Sequence, residues 1–334
     1  VRLWLAAVLS LLILLPANGL ALVAYDKMYV EDDAGISTTA IPKSYLLAAA
    51  QTIFSKDALT LNAPCDLFVS SDDYVFVADK GNNRIIKLNN DLECEKMFDN
   101  SGHGGFKEPE SVFVDEYGGI YVADTGNSRI IKLDSEGRFV EEFGTPQSAL
   151  LGDNFVFNVR KVSVSNVGYI YALKYQYVMQ MDAYNNFRGY IGATEVGRDL
   201  WYTVRYLFSN AEQRKVMLKR EPASCYSFAV GEDGSLYVTT ADRSGGELKR
   251  INSVGVNIYP KKTPFGLNVA NDSNAIIAPQ YVDVAVDKNE NVVLLESVLG
   301  KISIYNNQGE NLCVFGGKGS TRETFLNPVA VDID

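Results

Sequence analysis

An all-β repeat fold is predicted by three observations. VFVADKGNNRIIKLN at 75–89 returns as IYVADTGNSRIIKLD at 120–134, an offset of 45 residues that marks one supersecondary unit written twice. Each copy divides into short β-rich runs between turn formers; in the second copy these are SVFVD, GIYVAD, RIIKLD and FVEEF, separated by YGG, TGNS and SEG. None of the runs places apolar residues at helical spacing. Four antiparallel strands in each 45-residue period describe the blade of a β-propeller.

The first element, residues 1–24, has a different composition. Arg2 precedes LWLAAVLSLLILLP and then small residues, with Ala17-Asn18-Gly19 or Leu22-Val23-Ala24 as cleavage boxes, which is the pattern of a signal peptide. Left uncleaved, Leu3 to Ala24 approaches the length of a membrane span and would attach the chain to the membrane, although Pro16, Asn18 and Gly19 favour cleavage. Either way the protein is expected to be exported, secreted or anchored, outside the cytoplasm. Residues 25–60 are expected to supply a closing strand, with AAQTIF at Ala49 to Phe54 lying outermost on the last blade.

Blades one and two are expected at about 61–106 and 107–153. Their register is strict: Pro64 maps to Pro109, Asp79 to Asp124, Gly81 to Gly126, Asn82 to Asn127 and Arg84 to Arg129. The short Asp carboxylate can accept turn amides, Gly and Asn tolerate positive φ in a tight hairpin, and Arg can reach back to the Asp or to a neighbouring blade. These eight residues read as a structural staple at the blade corner. The D-x-G-N-x-R-I pattern after a Pro-led first strand resembles the NHL repeat, and the chain is most similar to exported bacterial NHL-repeat proteins. That resemblance implies a six-bladed ring related in fold to gluconolactonase/regucalcin-type and peptidylglycine lyase propellers.

The remaining blades have drifted. Blade three, 154–197, keeps its strands in KVSVSNVGYIYALKYQYVMQM, but Leu173 stands where the Asp is expected and no Gly-Asn-Arg follows. Residues 198–222 interrupt the period: Ser209 with Glu212 forms a capping-box signature, and Leu200, Val204, Leu207 and Phe208 share a helical face, so a short helical insertion is expected. It reads either as packing over a weak blade or as a lid or partner-binding element. Blade four, 223–262, keeps its Asp-Gly turn, and blade five spans 279–318. FLNPVAVDID at 325–334 begins a sixth blade that is incomplete in this chain.

Composition narrows the function. With 334 residues, 47% hydrophobic and 22% charged, the chain can bury one large core. A net charge of −10 argues against nucleic acid as a partner. Cys65, Cys94, Cys225 and Cys313 read equally as buried thiols or as disulfide partners, and His103 as the single histidine gives zinc no ligand set. No Ser-His-Asp set, Cys-His pair or phosphate loop is present.

Two functional readings remain. Propellers place ligands at the axis, and Asp66, Glu110 and Glu221 flank blade-opening prolines, where carboxylates gathered at the channel mouth suit calcium or magnesium. Resemblance to gluconolactonase-type rings implies a divalent-metal-dependent hydrolase on that basis. The favoured reading is a recognition or scaffold module with no required cofactor, binding protein or carbohydrate at the cell envelope. The chain has 19 Tyr and 16 Phe, and Trp201, Tyr202 and Tyr206 of the insertion are the aromatics best placed for such contact.

Overall fold

The computed structural model describes residues 60–99, 102–148, 151, 155–175, 177–191, 224–241, 248–253, 255–260, 279–321 and 324–333. It also describes the short pieces 23–24, 28–31, 38–40, 46–47, 268–269 and 276–277. The insertion 198–222, the strand expected at Ala49 to Phe54 and residues 1–22 of the leader lie outside the described residues. Among the described residues the helical elements are two three-residue 3-10 turns, and no helix is long and apolar enough to cross a membrane.

Five antiparallel sheets form the blades. Blade one runs Asp66–Val69, Val75–Asp79, Arg84–Leu88 and Cys94–Phe98; blade two runs Ser111–Val114, Ile120–Asp124, Arg129–Leu133 and Phe139–Phe143. Blade three runs Lys161–Val164, Ile170–Lys174, Tyr177–Met181 and Phe187–Ile191. Blade four has Cys225–Val230, Leu236–Thr240 and Leu248–Ile251, with an isolated bridge from Ile251 to Asn257 beside its third strand. Blade five has Tyr281–Val286, Val292–Glu296, Lys301–Tyr305 and Asn311–Gly316. Tyr29–Glu31 pairs outside Asn311–Gly316, and Thr38–Ala40 pairs outside that, so blade five grows to six strands.

Side-chain patterning explains the blade. The third strand RIIKL of blade two is buried at three of five positions, because its two faces meet different neighbours, whereas the outer FVEEF is exposed at four of five. Ile85, Ile86, Ile130 and Ile131 are all fully buried, each contributing about 1.5–3 kcal/mol. Apolar clusters fill the space between successive blades, one holding Phe76, Phe98, Val112 and Val122 and the next Tyr121, Ile130, Val162 and Met179.

The expected count of six blades is corrected to five. Residues 325–333 form no strand ladder, yet Phe325, Val331 and Ile333 pack on blade five while Ala330 packs on blade one. A single extended segment thus fills the place between them. It is held by backbone amides: Val331 N–H donates to Asp283 Oδ2 at 2.9 Å, and Val69 N–H donates to Asp332 Oδ2 at 2.7 Å. The same device joins other blades, since Val112 N–H donates to Asp66 Oδ2 at 3.3 Å and Val162 N–H to Ser111 Oγ at 3.2 Å. Inner strands have no lateral partner across the axis, so side chains satisfy their amides.

The motif residues behave as a staple, with one change of mechanism. Asp79 is fully buried and accepts from Asn62 N–H at 2.7 Å, Asn82 Nδ2 at 2.8 Å and Arg84 Nε at 2.7 Å. Asp124 repeats this with Lys107 N–H at 2.7 Å, Asn127 Nδ2 at 2.8 Å and Arg129 Nε at 2.8 Å. The positive φ falls on Asn83 (54°) and Ser128 (55°), not on the glycines. Gly81 and Gly126 are required instead by close backbone approach: a Cβ there would lie 2.6 Å from Asn62 O or from Lys107 O. In blade three the ladder sets Leu173 opposite Lys161, where Ala78 and Ala123 sit in their blades, so Lys174 and not Leu173 occupies the Asp position.

Candidate functional site at the axial mouth

One irregularity, repeated in every blade, builds the site. In blades four and five the register shifts between Cys225 and Ser227 and between Tyr281 and Asp283. Blades one to three show the same feature as an extra amide bond: Cys65 N–H to Ala78 O, Glu110 N–H to Ala123 O and Arg160 N–H to Leu173 O, although Asp66, Ser111 and Lys161 already oppose those residues. Two consecutive residues therefore face one partner, which is a β-bulge. Strict alternation would send neighbouring side chains to opposite faces. The bulge lets both members of each pair reach the axis.

A cavity of about 80 Å³ results, lined by pairs from four blades: Cys65 and Asp66, Arg160 and Lys161, Tyr226 and Ser227, Val282 and Asp283. Glu110 joins from blade two and Val329 from the C-terminal segment. The inner layer is a cross-axis charge cluster. Lys161 Nζ donates to Asp283 Oδ1 at 2.5 Å and lies 3.7 Å from Asp66 Oδ1, while Ser227 Oγ donates to Asp283 Oδ1 at 2.5 Å. One lysine of blade three thus ties blades one and five across the ring. The outer layer is more open. Glu110 Oε1 accepts from Lys80 Nζ at 2.6 Å, and its Oε2 lies 3.4 Å from Arg160 Nε, whose side chain is 55% exposed.

Burial sets the protonation of this cluster. Asp66 is pushed up to about 6 by loss of hydration, with Lys161 pulling it down and Asp283 raising it further. Burial alone would lower Lys161, but Asp283 and Asp66 outweigh it and raise the ammonium above its ordinary value. Asp332 is pushed up to about 7, again mainly by burial. Burial, then Asp66 and Glu110, raise the Cys65 thiol to about 12, so it is no thiolate nucleophile at neutral pH. All four cysteines are free thiols.

Of the residues singled out from sequence as metal ligands, Asp66 and Glu110 come together in this cavity, and Glu221 lies outside the described residues, as do Trp201, Tyr202 and Tyr206. Both carboxylates face cations, and among the described residues no group of three or more His, Cys, Asp or Glu side chains gathers as a metal site would. Sequence reasoning missed Arg160, Lys161, Tyr226 and Asp283. The signal for them was positional: each sits where Cys65 or Asp66 sits in blade one.

No protein-family model matches the chain, and no curated protein matches it. Among solved structures it is similar to a streptogramin B lyase, with 15% identity over 92% of this chain and 76% of that one and a TM-score of 0.47. It is also similar to virginiamycin B lyase from Staphylococcus aureus (13% identity, 80% and 73% covered, TM-score 0.47). A third likeness is to the β-propeller domain of Cps50 (Swd1) from Myceliophteria thermophila (12% identity, 82% and 90% covered, TM-score 0.47). At these scores no likeness carries an argument, and the propeller assignment rests on the five sheets and their topology.

Proposed function

We propose that this chain is an exported, NHL-type propeller acting as a recognition or scaffold module, which takes a protein or glycan ligand on the face that carries the axial mouth. The observation that supports this most is the unequal chemistry of one register position. In the five blades that position holds Cys65, Glu110, Arg160, Tyr226 and Val282, and Val329 of the C-terminal segment joins them, so a polar arc faces an apolar one, whereas the corner residues of blades one and two recur in kind and serve the architecture. Aromatic, cationic and aliphatic side chains converging in one concavity suit recognition. The insertion aromatics Trp201 and Tyr202 serve in this reading as a second contact.

The test is retention of a cell-envelope partner on immobilised protein. Replacing Glu110 and Arg160 together by Gln is expected to reduce retention about tenfold with the melting temperature unchanged; Trp201→Ala with Tyr202→Ala is expected to weaken it further. Undiminished retention by the Glu110/Arg160 variant would remove the mouth from the function. A metal-dependent hydrolase is the second reading, favoured by Asp66 and Glu110 sharing the cavity. It requires calcium to displace Lys161 and Lys80 from those carboxylates, and calorimetric titration with calcium that gives no heat removes it.

A further inference from the structure

We infer that the axial mouth is a carboxylate-binding subsite, taking a ligand with one free carboxylate on a short apolar body; this deepens the recognition reading and rests on it. The argument is an inventory of uncommitted groups. Asp283 accepts three bonds, from Lys161, Ser227 and the amide of Val331. Asp66 accepts the amide of Val112 and faces Lys161. Glu110 is held by Lys80 at 2.6 Å. The Cys65 thiol points at the carbonyls of Pro109 and Ala78. The acceptors of the lining are thus in use.

Donors are left over. Arg160 makes one long contact, through Nε to Glu110, and its Nη1 and Nη2 groups have no partner among the described residues. The Tyr226 hydroxyl likewise has none among them, and Tyr226 lines the same cavity. Water satisfies these donors in the free protein, and a ligand that displaces it must bring acceptors of its own. A guanidinium offering its two terminal nitrogens fits a carboxylate in bidentate fashion. Val282, Val329 and Leu173 line the remaining wall and accept a hydrocarbon body.

The anion is drawn by one exposed guanidinium and not by a net positive charge. Asp66, Glu110 and Asp283 are matched by Lys80, Arg160 and Lys161, and the Arg160 side chain, 55% exposed, is the cation that faces the opening. The remaining facing groups are Asp332 behind Lys161, the Cys65 thiol, Glu108 near Lys80 at 3.8 Å, and Tyr226.

The experiment is calorimetric titration of the full chain with pentanoate, pentanamide and pentylamine at pH 7.5. Pentanoate is expected to bind in the millimolar range, at least tenfold tighter than the amide or the amine. Arg160→Gln is expected to weaken pentanoate about tenfold, while Arg138→Gln, a 77% exposed arginine of blade two paired with Asp134, leaves it unchanged. Equal binding of amide and carboxylate, tighter binding of the amine, an unaffected Arg160→Gln variant, or no binding of pentanoate at 50 mM (about ten times the expected dissociation constant) each overturns the proposal. Partner retention that depends on Glu110 and Arg160 in the presence of any of these results would sink the carboxylate and leave the mouth as the recognition surface.

Discussion

Arg129 shows how much of this fold hangs on single side chains. Its Nε meets the fully buried Asp124, and its Nη1 reaches both the His103 carbonyl at 3.1 Å and Glu142 at 2.9 Å. Removing it leaves a buried carboxylate with Asn127 and the Lys107 amide as its donors among the described residues. Arg129→Ala is therefore expected to cost about 3 kcal/mol in urea unfolding, whereas Arg138→Ala, whose side chain is 77% exposed, leaves the midpoint where it was. This staple was legible in the sequence because both copies carry it at one spacing. The role of Gly81 and Gly126 was read less well: a glycine required by positive φ and one required by backbone proximity look alike in a sequence, and here Asn62 O and Lys107 O decide for proximity. Asp66 and Glu110 were found through the prolines that precede them. Arg160 was not, since blade three lacks that proline mark, nor was Tyr226, which stands four residues after Pro222, and alternation gives no warning that a bulge brings neighbours to the same side.

Strands and connections carry the next level of specification. Blade three kept its inner and outer strands while its corner exchanged Asp for Lys174, which lies 3.5 Å from the Phe155 ring and whose ammonium is pulled down by burial. Blade five solved the same corner differently, with the Glu296 carboxylate accepting the amides of Gln280, Val298 and Leu299. Such substitutions hide the repeat from pattern reading because the backbone demand at the corner, spare amides in a tight turn, can be met by different side chains. The added strand is a clearer case. Met28 is 3% exposed within the blade-five cluster, and Tyr29–Glu31 covers the edge of Asn311–Gly316. Met28→Ala is expected to cost about 2–4 kcal/mol, and the bared edge should raise self-association at high concentration. Urea melts and size-exclusion chromatography check the two parts, and an unchanged melt would show that this strand does not hold the blade. Its position was not legible: a three-residue pairing is too short to leave a periodic signal.

Across the whole molecule, the inner ring concentrates acids that the sequence scatters from Asp66 to Asp332. Asp66, Asp283 and Asp332 surround one ammonium, Lys161, and together they bind the extended segment to blades five and one. Asp66 sits at about 6 and Asp332 at about 7, both above the ordinary carboxylate value because burial outweighs Lys161. A folded-state acid that is harder to ionise than in the unfolded chain binds its proton more tightly when folded, so stability falls as pH rises from about 4 to about 7 and then levels. Carboxylates with the opposite shift act in another window: Asp182, held at about 2 chiefly by the Asn186 side chain and amide, loses its contribution only in stronger acid. The two sets leave a stability maximum in mild acid. Asp332→Asn keeps an acceptor for the Val69 amide but removes the ionisation, so it should raise the melting temperature at pH 8 by a few degrees and flatten the profile between pH 5 and 8. Melting curves of the two proteins across that range measure it directly. A profile of unchanged slope in the variant would mean that the segment between blades five and one is held without regard to charge, and that the cross-axis cluster is a strut rather than a proton-linked clasp.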